Sequence, residues 1–387
     1  MTSSSTTRSA RTAFDAAALR PGYATGVALA ANALPGTRFA ATMTPADRDA
    51  AVAAVLANDW FPTLPGDGRR LRALPSEGDD GAIRLPAPGP DADWLTGYSD
   101  ALAALAAAIP LPKADRDAGA VAVVGLLLDR REPDRAADVT ELRRMLEAGL
   151  GLTATFLPGT EADADGPADR LARAAVVVSL PYGRAAAAEL ARRTGATTVQ
   201  TDLPLGFAGA CAWLRAVAAA PNRVAEAEAF LSVELDRLVP RFEWAVPHGL
   251  LHKRLALVGD PPFAAALAGF ATELGCEFAA FLPTTGGAIA AGLPGPDDLL
   301  DGGRFDLCLA PSAGVDAAVA SGVRFLEWGF PSIGSHALFP APTLGLEGVP
   351  RFAETLINRM AAWEVVQTFR RDRGERPRRA TSPARDR

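Results

Sequence analysis

The middle of the chain carries short, continuous apolar runs separated by amphipathic stretches. Val121 to Leu128 is one such run, and its length suits a strand buried on both faces. Val139, Leu142, Met145 and Leu146 then fall on one face of a helix that Gly149 and Gly151 end. Leu152 to Leu157 and Ala174 to Leu180 read as further buried strands. A helix runs on to Arg193, Gly195 caps it, and Thr197 to Gln200 is a short strand. This β-α-β-α-β order predicts a parallel sheet with helices on both faces. Pro221 to Trp244 has few breakers and reads as one long helix, with Val224, Phe230, Leu231, Leu235 and Leu238 on its buried face. The unit then repeats. Leu255 to Val258 is a strand ended by Gly259-Asp260, Phe263 to Leu274 a helix capped by Gly275, and Glu277 to Leu282 a strand. Both units close on the same words, Phe156-Leu157-Pro158 and Phe281-Leu282-Pro283. Phe305 to Leu309 and Val323 to Leu326 are further strands, a helix lies near Val315 to Ala320, and Arg351 to Phe369 is a closing helix. The expected fold class is α/β, with tandem Rossmann-like parallel-sheet domains.

The pattern before residue 116 is weaker. Residues 1–12 read as disordered, and Tyr23 to Ala41 is small and apolar. Pro45 to Leu56 and Trp94 to Ile109 have helical spacing, while Pro62 to Pro90 lacks periodicity and reads as a long loop. The expected division is a shortened first domain (13–115), a middle domain (116–220), a bridging helix (221–250), a C-terminal domain (251–372) and a basic tail (373–387).

Composition narrows the function classes. A net charge of −6 argues against a nucleic-acid surface, and the basic cluster from Arg370 to Arg387 reads as a solvated end. No apolar stretch reaches the roughly 18 residues of a membrane span. The three cysteines, Cys211, Cys276 and Cys308, form no CxxC or Cys/His pair. Their number and the lack of a signal-peptide pattern fit a reducing cytoplasm. Cys276 and Cys308 read as buried small hydrophobes. Cys211, at a helix start after Gly209, keeps a reactive or ligating role open.

Candidate chemistry is sparse. No GxGxxG follows a strand and no Walker A sequence is present, so a conventional dinucleotide enzyme is disfavoured. His248 and His252 have the i, i+4 spacing of a helical metal pair. Pro247 and Gly249 disturb that helix, which favours a hinge or surface pair. His336, in Gly334-Ser335-His336, lies in a loop beyond a strand's carboxyl end, where open α/β sheets place ligands. It is the candidate catalytic residue, with a structural loop role as the alternative.

Two glycine–proline segments carry a family likeness. Asp202-Leu203-Pro204-Leu205-Gly206-Phe207-Ala208-Gly209, followed by Trp213-Leu214, is similar to the Pro-x-Gly-x-x-Gly turn that opens a helix in nitrogenase component 1 subunits. Gly329-Phe330-Pro331, Thr343-Leu344-Gly345-Leu346-Glu347-Gly348 and Leu356-Ile357-Asn358 together resemble the ending of nitrogenase β-type subunits. Cofactor-scaffold and chlorophyllide-reductase relatives share that ending. Pro204, Gly206, Gly209, Gly329, Gly345 and Gly348 are therefore candidate cofactor-binding positions. Glycines ahead of helices allow close backbone approach and leave amide donors for a ligand.

The resemblance covers roughly residues 90–370 and implies a subunit of three stacked α/β domains. It implies pairing with a homologous component 1-like subunit and electrons from an ATP-driven iron protein. An iron–sulfur cluster would be shared with that partner, and a substrate or metallocofactor would lie among the domains. The family's cluster cysteines come from the first domain, and here that region has none. Gly22 to Ala28 looks like the first cysteine turn without its cysteine, and the second would fall near Asp47. A carboxylate can ligate iron, so Asp47 is the candidate metal ligand. It also stands at a helix start, where acidic residues are favoured on electrostatic grounds. Leu344 takes the position resembling the histidine ligand of the nitrogenase cofactor. The leading expectation is a subunit of a nitrogenase-like two-component oxidoreductase, with no nucleic acid and no membrane span. A cofactor-assembly scaffold and a degenerate non-catalytic binding paralogue are the alternatives.

Overall fold

The computed structural model describes residues 21–34, 37–58, 71–74, 81–159, 167–286, 293–294, 305–314 and 324–372. Within them the chain builds three parallel sheets, of three, four and four strands. The expected disordered start, the basic tail and the helix near Val315 lie outside the described residues.

The first unit is more regular than its sequence suggests. The apolar stretch after Gly22 is helix α1 (Tyr23–Ala33) followed by strand β1 (Phe39–Thr42). Helix α2 (Pro45–Asn58) comes next. The segment expected to be irregular contains strands β2 (Leu71–Leu74) and β3 (Ile83–Arg84), and both pair with β1 in parallel. Strands of four and two residues are too short to show a period, so pairing with β1 reveals them where pattern does not. Helix α3 (Trp94–Ala108) then packs on α1 with their backbones almost touching. A Cβ on Gly26 would lie 1.7 Å from the Trp94 carbonyl oxygen, and one on Gly97 would lie 2.2 Å from that of Tyr23.

The middle unit comprises β4 (Asp117–Val124), α4 (Pro133–Leu150), β5 (Thr153–Leu157), α5 (Pro167–Arg173), β6 (Ala174–Ser179), α6 (Arg184–Thr194) and β7 (Thr197–Gln200). Its sheet order is β5-β4-β6-β7, all parallel. The expected strand to Leu128 stops at Val124. Gly125 takes φ +96 and abuts Gly183, so the chain leaves the sheet and Leu126 to Leu128 run as an irregular connection. Helix α7 (Gly206–Ala219) follows. The expected single helix from Pro221 to Trp244 is broken. It is α8 (Val224–Leu238), a 3-10 turn, a short α9 (Phe242–Ala245) and a π turn at Val246–Leu250. Pro240 and Pro247 lack the amide a continuous helix needs there.

The third unit has β8 (Arg254–Gly259), α10 (Pro261–Glu273), β9 (Glu277–Pro283), β10 (Leu307–Ala310) and β11 (Phe325–Glu327), in the order β11-β10-β8-β9. The closing helix is α11 (Gly348–Asp372). One apolar core runs through all three units. Helix α3 ties them: Tyr98 Oη donates to the Leu126 carbonyl at 2.7 Å, and Trp94 Nε1 donates to that of Thr284 at 3.2 Å. Among the described residues no helix is long and apolar enough to cross a membrane.

The α1–α3 contact gives a direct test. Gly26→Ala forces the two backbones apart and costs about 1–3 kcal/mol or more in urea unfolding. Gly22→Ala, with nothing within 4 Å of the new methyl group, stays close to the parent. Equal stability of both variants contradicts the packing.

Candidate functional site

The carboxyl ends of β4, β6 and β8 converge, and a cavity of about 50 Å³ lies between them. Leu126 to Asp129 line it from the β4–α4 turn, Tyr182 from the turn after β6, and Gly259-Asp260 from the end of β8. Trp328 and Gly329 close it after β11, with Thr343 and Leu344 opposite. At ~10–15 Å³ for each water, it holds a few water molecules rather than a large ligand.

Helix α4 supplies two of the four charged side chains of the lining, Arg135 and Asp138. Its start is set by Glu132 ahead of Pro133, with Asp134 in the first turn, where the helix dipole favours acids. Arg135, one turn in, points back to Asp129 with Nε at 2.6 Å from Oδ1, and its Nη1 lies 3.4 Å from Asp138 Oδ2. Its guanidinium also sits 5.7 Å from the centre of the Trp328 ring. Burial works against this charge, but Asp129, Asp134 and Asp138 overcome it, so Arg135 is held firmly protonated. Burial pushes the Asp138 carboxyl up to about 6, against the pull of Arg135 and of two backbone amides. Across the cavity, Tyr182 Oη donates to Asp260 Oδ1 at 2.8 Å, and Asp260 caps α10 by accepting from Phe263 N at 2.9 Å. Burial raises Asp260, and burial followed by the Asp260 charge raises Tyr182 well above its ordinary range. The cavity thus pairs a fixed positive charge with two groups able to hold a proton.

Several residues expected from sequence meet here. Asp138 Oδ1 accepts from Thr343 N at 2.6 Å and Leu344 N at 2.9 Å. Gly345, at φ +74, donates its amide to the Pro204 carbonyl at 2.8 Å. A Cβ on Gly348 would lie 2.3 Å from the Thr343 carbonyl oxygen, so the turn into α11 requires glycine. Gly329 is part of the cavity wall. Gly206 and Gly209 play a different part. The α7 amides expected to be free for a ligand are taken: Phe207 N and Ala208 N each donate to the Glu273 carboxylate at 2.8 Å. That carboxylate lies 2.9 Å from where a Gly206 Cβ would be.

His336 stands beside the cavity rather than in its wall. Its Nδ1 is 2.9 Å from Oε1 of buried Glu132, whose other oxygen accepts from Ala337 N at 2.6 Å. Asp47 is exposed and forms a capping box at the start of α2. Its carboxylate accepts from Thr44 Oγ1 at 2.7 Å, and Asp47 N donates back to Thr44 Oγ1 at 3.1 Å. The Thr44 hydroxyl lowers the Asp47 pKa. His248 stacks on Trp244 with 4.5 Å between ring centres, and His252 takes φ +62 in the following turn. All three cysteines are buried, and burial pushes Cys276 up to about 11 and Cys308 up to about 12. Among the described residues no group of three or more His, Cys, Asp or Glu is placed to hold a metal ion.

Asp129, Arg135, Asp138, Tyr182 and Asp260 were not singled out from sequence. The available signal was a dense set of alternating charges, Asp129 to Asp138, directly after an apolar run. Such a run at a strand's carboxyl end marks a charged site more than a linker.

Asp138 gives a pH-dependent test. A folded pKa near 6 lies above the unfolded value of about 4, so the ionised carboxylate costs stability above pH 6. That cost fades as the pH falls through 6 towards 4. Asp138→Asn keeps an acceptor for Thr343 and Leu344 and removes the ionisation. It is expected to be more stable than the parent at pH 7.5, by at most about 3 kcal/mol in urea unfolding, with the gap closing near pH 4.5. A less stable variant at pH 7.5 means that Arg135 outweighs burial.

Comparison with known proteins shows what the chain is similar to. The model of the family "Nitrogenase component 1 type Oxidoreductase" matches residues 72–292, more than half of the chain. The "Nitrogenase molybdenum-iron protein beta chain" of Frankia alni is 36% identical over 121 residues. That match covers 30% of this chain and 22% of the Frankia protein. A solved structure titled "Nitrogenase Cp1 at pH 6.5" superposes with a TM-score of 0.73 at 16% identity, over 95% of this chain and 96% of the other. "Nitrogenase Cp1 at pH 5" gives 0.57 at 15% identity, over 73% and 65%.

Proposed function

Because the chain belongs to the nitrogenase component 1 type oxidoreductase family, we propose that it is one subunit of a nitrogenase-like two-component oxidoreductase. A homologous partner subunit completes the enzyme, and an ATP-dependent iron protein supplies the electrons in the reducing cytoplasm. The observation that supports this reading best is the charged cavity at the carboxyl ends of β4, β6 and β8, where open parallel sheets bind ligands.

The family's iron–sulfur cluster does not fit the donors of this chain alone. The first 115 residues contain no cysteine, and Asp47 is engaged by Thr44. In this reading the partner supplies the cysteine ligands. The contribution of this chain is the cavity. Arg135 holds a fixed positive charge against a substrate that gains electrons, and the Tyr182–Asp260 pair holds a proton beside it. A second reading, a non-catalytic binding paralogue, is favoured by Glu273, which fills the amide cluster of α7 with a carboxylate of the chain itself.

Anaerobic purification of the tagged protein from its host, with iron analysis and identification of bound proteins, separates the two. Iron together with a cysteine-bearing homologous subunit is the result expected. An iron-free protein without such a partner overturns the oxidoreductase reading and leaves the binding paralogue.

A further inference from the structure

Segment 333–347 differs from the rest of the cavity's surroundings in how it is held. From Ile333 to Pro342 it has neither helix nor strand, and its large side chains face outward: Ile333 is 49%, Leu338 64% and Phe339 77% exposed. Its end, Thr343 and Leu344, is cavity wall. What fixes it is a row of acidic side chains along α4 and at its start. Glu132 grips His336 Nδ1 and Ala337 N, Asp138 grips Thr343 N and Leu344 N, and Glu141 Oε1 accepts from Glu347 N at 3.1 Å. Arg130 adds a bond to the Ser335 carbonyl, and Glu327 Oε1 accepts from Ile333 N and Gly334 N at 2.8 Å each. Gly345, at φ +74, supplies backbone freedom near the far end.

We propose that residues 333–347 form a clamp that closes the cavity, and that Glu132 is its release point. The proposal rests on reading the cavity as the functional site. At about 50 Å³ the cavity is far smaller than the roughly 300–1,000 Å³ of a typical small-molecule site. Hydrogen bonds to carboxylates hold this wall, with little apolar burial between residues 333 and 342. Such a segment opens locally at a fraction of the free energy of global unfolding. Releasing Glu132 frees residues 336 and 337 first, while Asp138, Glu141, the Gly345 amide on the Pro204 carbonyl and buried Leu346 still hold the wall end.

The test is hydrogen–deuterium exchange of the full chain, read by mass spectrometry, for Glu132→Gln and His336→Ala. His336→Ala acts from the clamp side and leaves the start of α4 intact, so it reports even if Glu132→Gln folds poorly. Amides in 333–347 are expected to exchange about tenfold faster or more, with those of β4 and β8 unchanged. A second readout is the rate at which N-ethylmaleimide labels Leu344→Cys. The rate rises when His336→Ala is added if the clamp gates the cavity. Unchanged exchange in 333–347, exchange raised equally in β4 and β8, or an unchanged labelling rate overturns the proposal. None of these readouts needs iron, a partner or turnover, so a negative result stands apart from the purification experiment.

Discussion

Arg135 carries its charge into the interior, and a guanidinium out of water needs carboxylates around it. Asp129 provides the closest pair, from the turn that Gly125 forces at the end of β4. Asp138 provides the next, one turn along α4, and is itself tied to the backbone of Thr343 and Leu344. Trp328 lies beside the guanidinium. One largely buried cation therefore reaches the chain after β4, the helix α4, the end of β11 and the entry to α11. These make up one side of the cavity, and the ends of β6 and β8 the other.

Internal carboxylates meet sets of backbone amides at the glycine segments of this chain. Glu273 fills the start of α7, and α4 and its cap present Glu132, Asp138 and Glu141 to segment 336–347. In both places glycines bring the backbone close, as the family likeness implies. The partner they meet is a side chain of the same molecule. The two differ in what they hold: Glu132, itself buried, holds a segment whose large side chains face outward, whereas half-buried Glu273 holds the start of a packed helix.

Sequence reading recovered the two larger sheets because parallel strands buried on both faces are continuous apolar words. It missed β2 and β3, whose four and two residues carry no period. It extended β4 through Leu126–Leu128, because an apolar run does not announce that its glycine turns. The close abutment of Gly125 and Gly183 that forces the turn is a tertiary fact. The glycines at 329, 345 and 348 were legible through their resemblance to known segments. The ionic network was not: no motif or spacing links Asp129, Arg135 and Asp138 to Tyr182 and Asp260, which come from strand ends that meet only in the folded chain.

That the cavity is assembled around the Arg135 charge is best tested by urea unfolding of Arg135→Met at pH 7.5. Asp129 and Asp138 are then left buried without their cation, and a loss of about 3–5 kcal/mol is expected. Stability within about 1 kcal/mol of the parent would contradict it, because the carboxylates would then need no buried cation to stay in place.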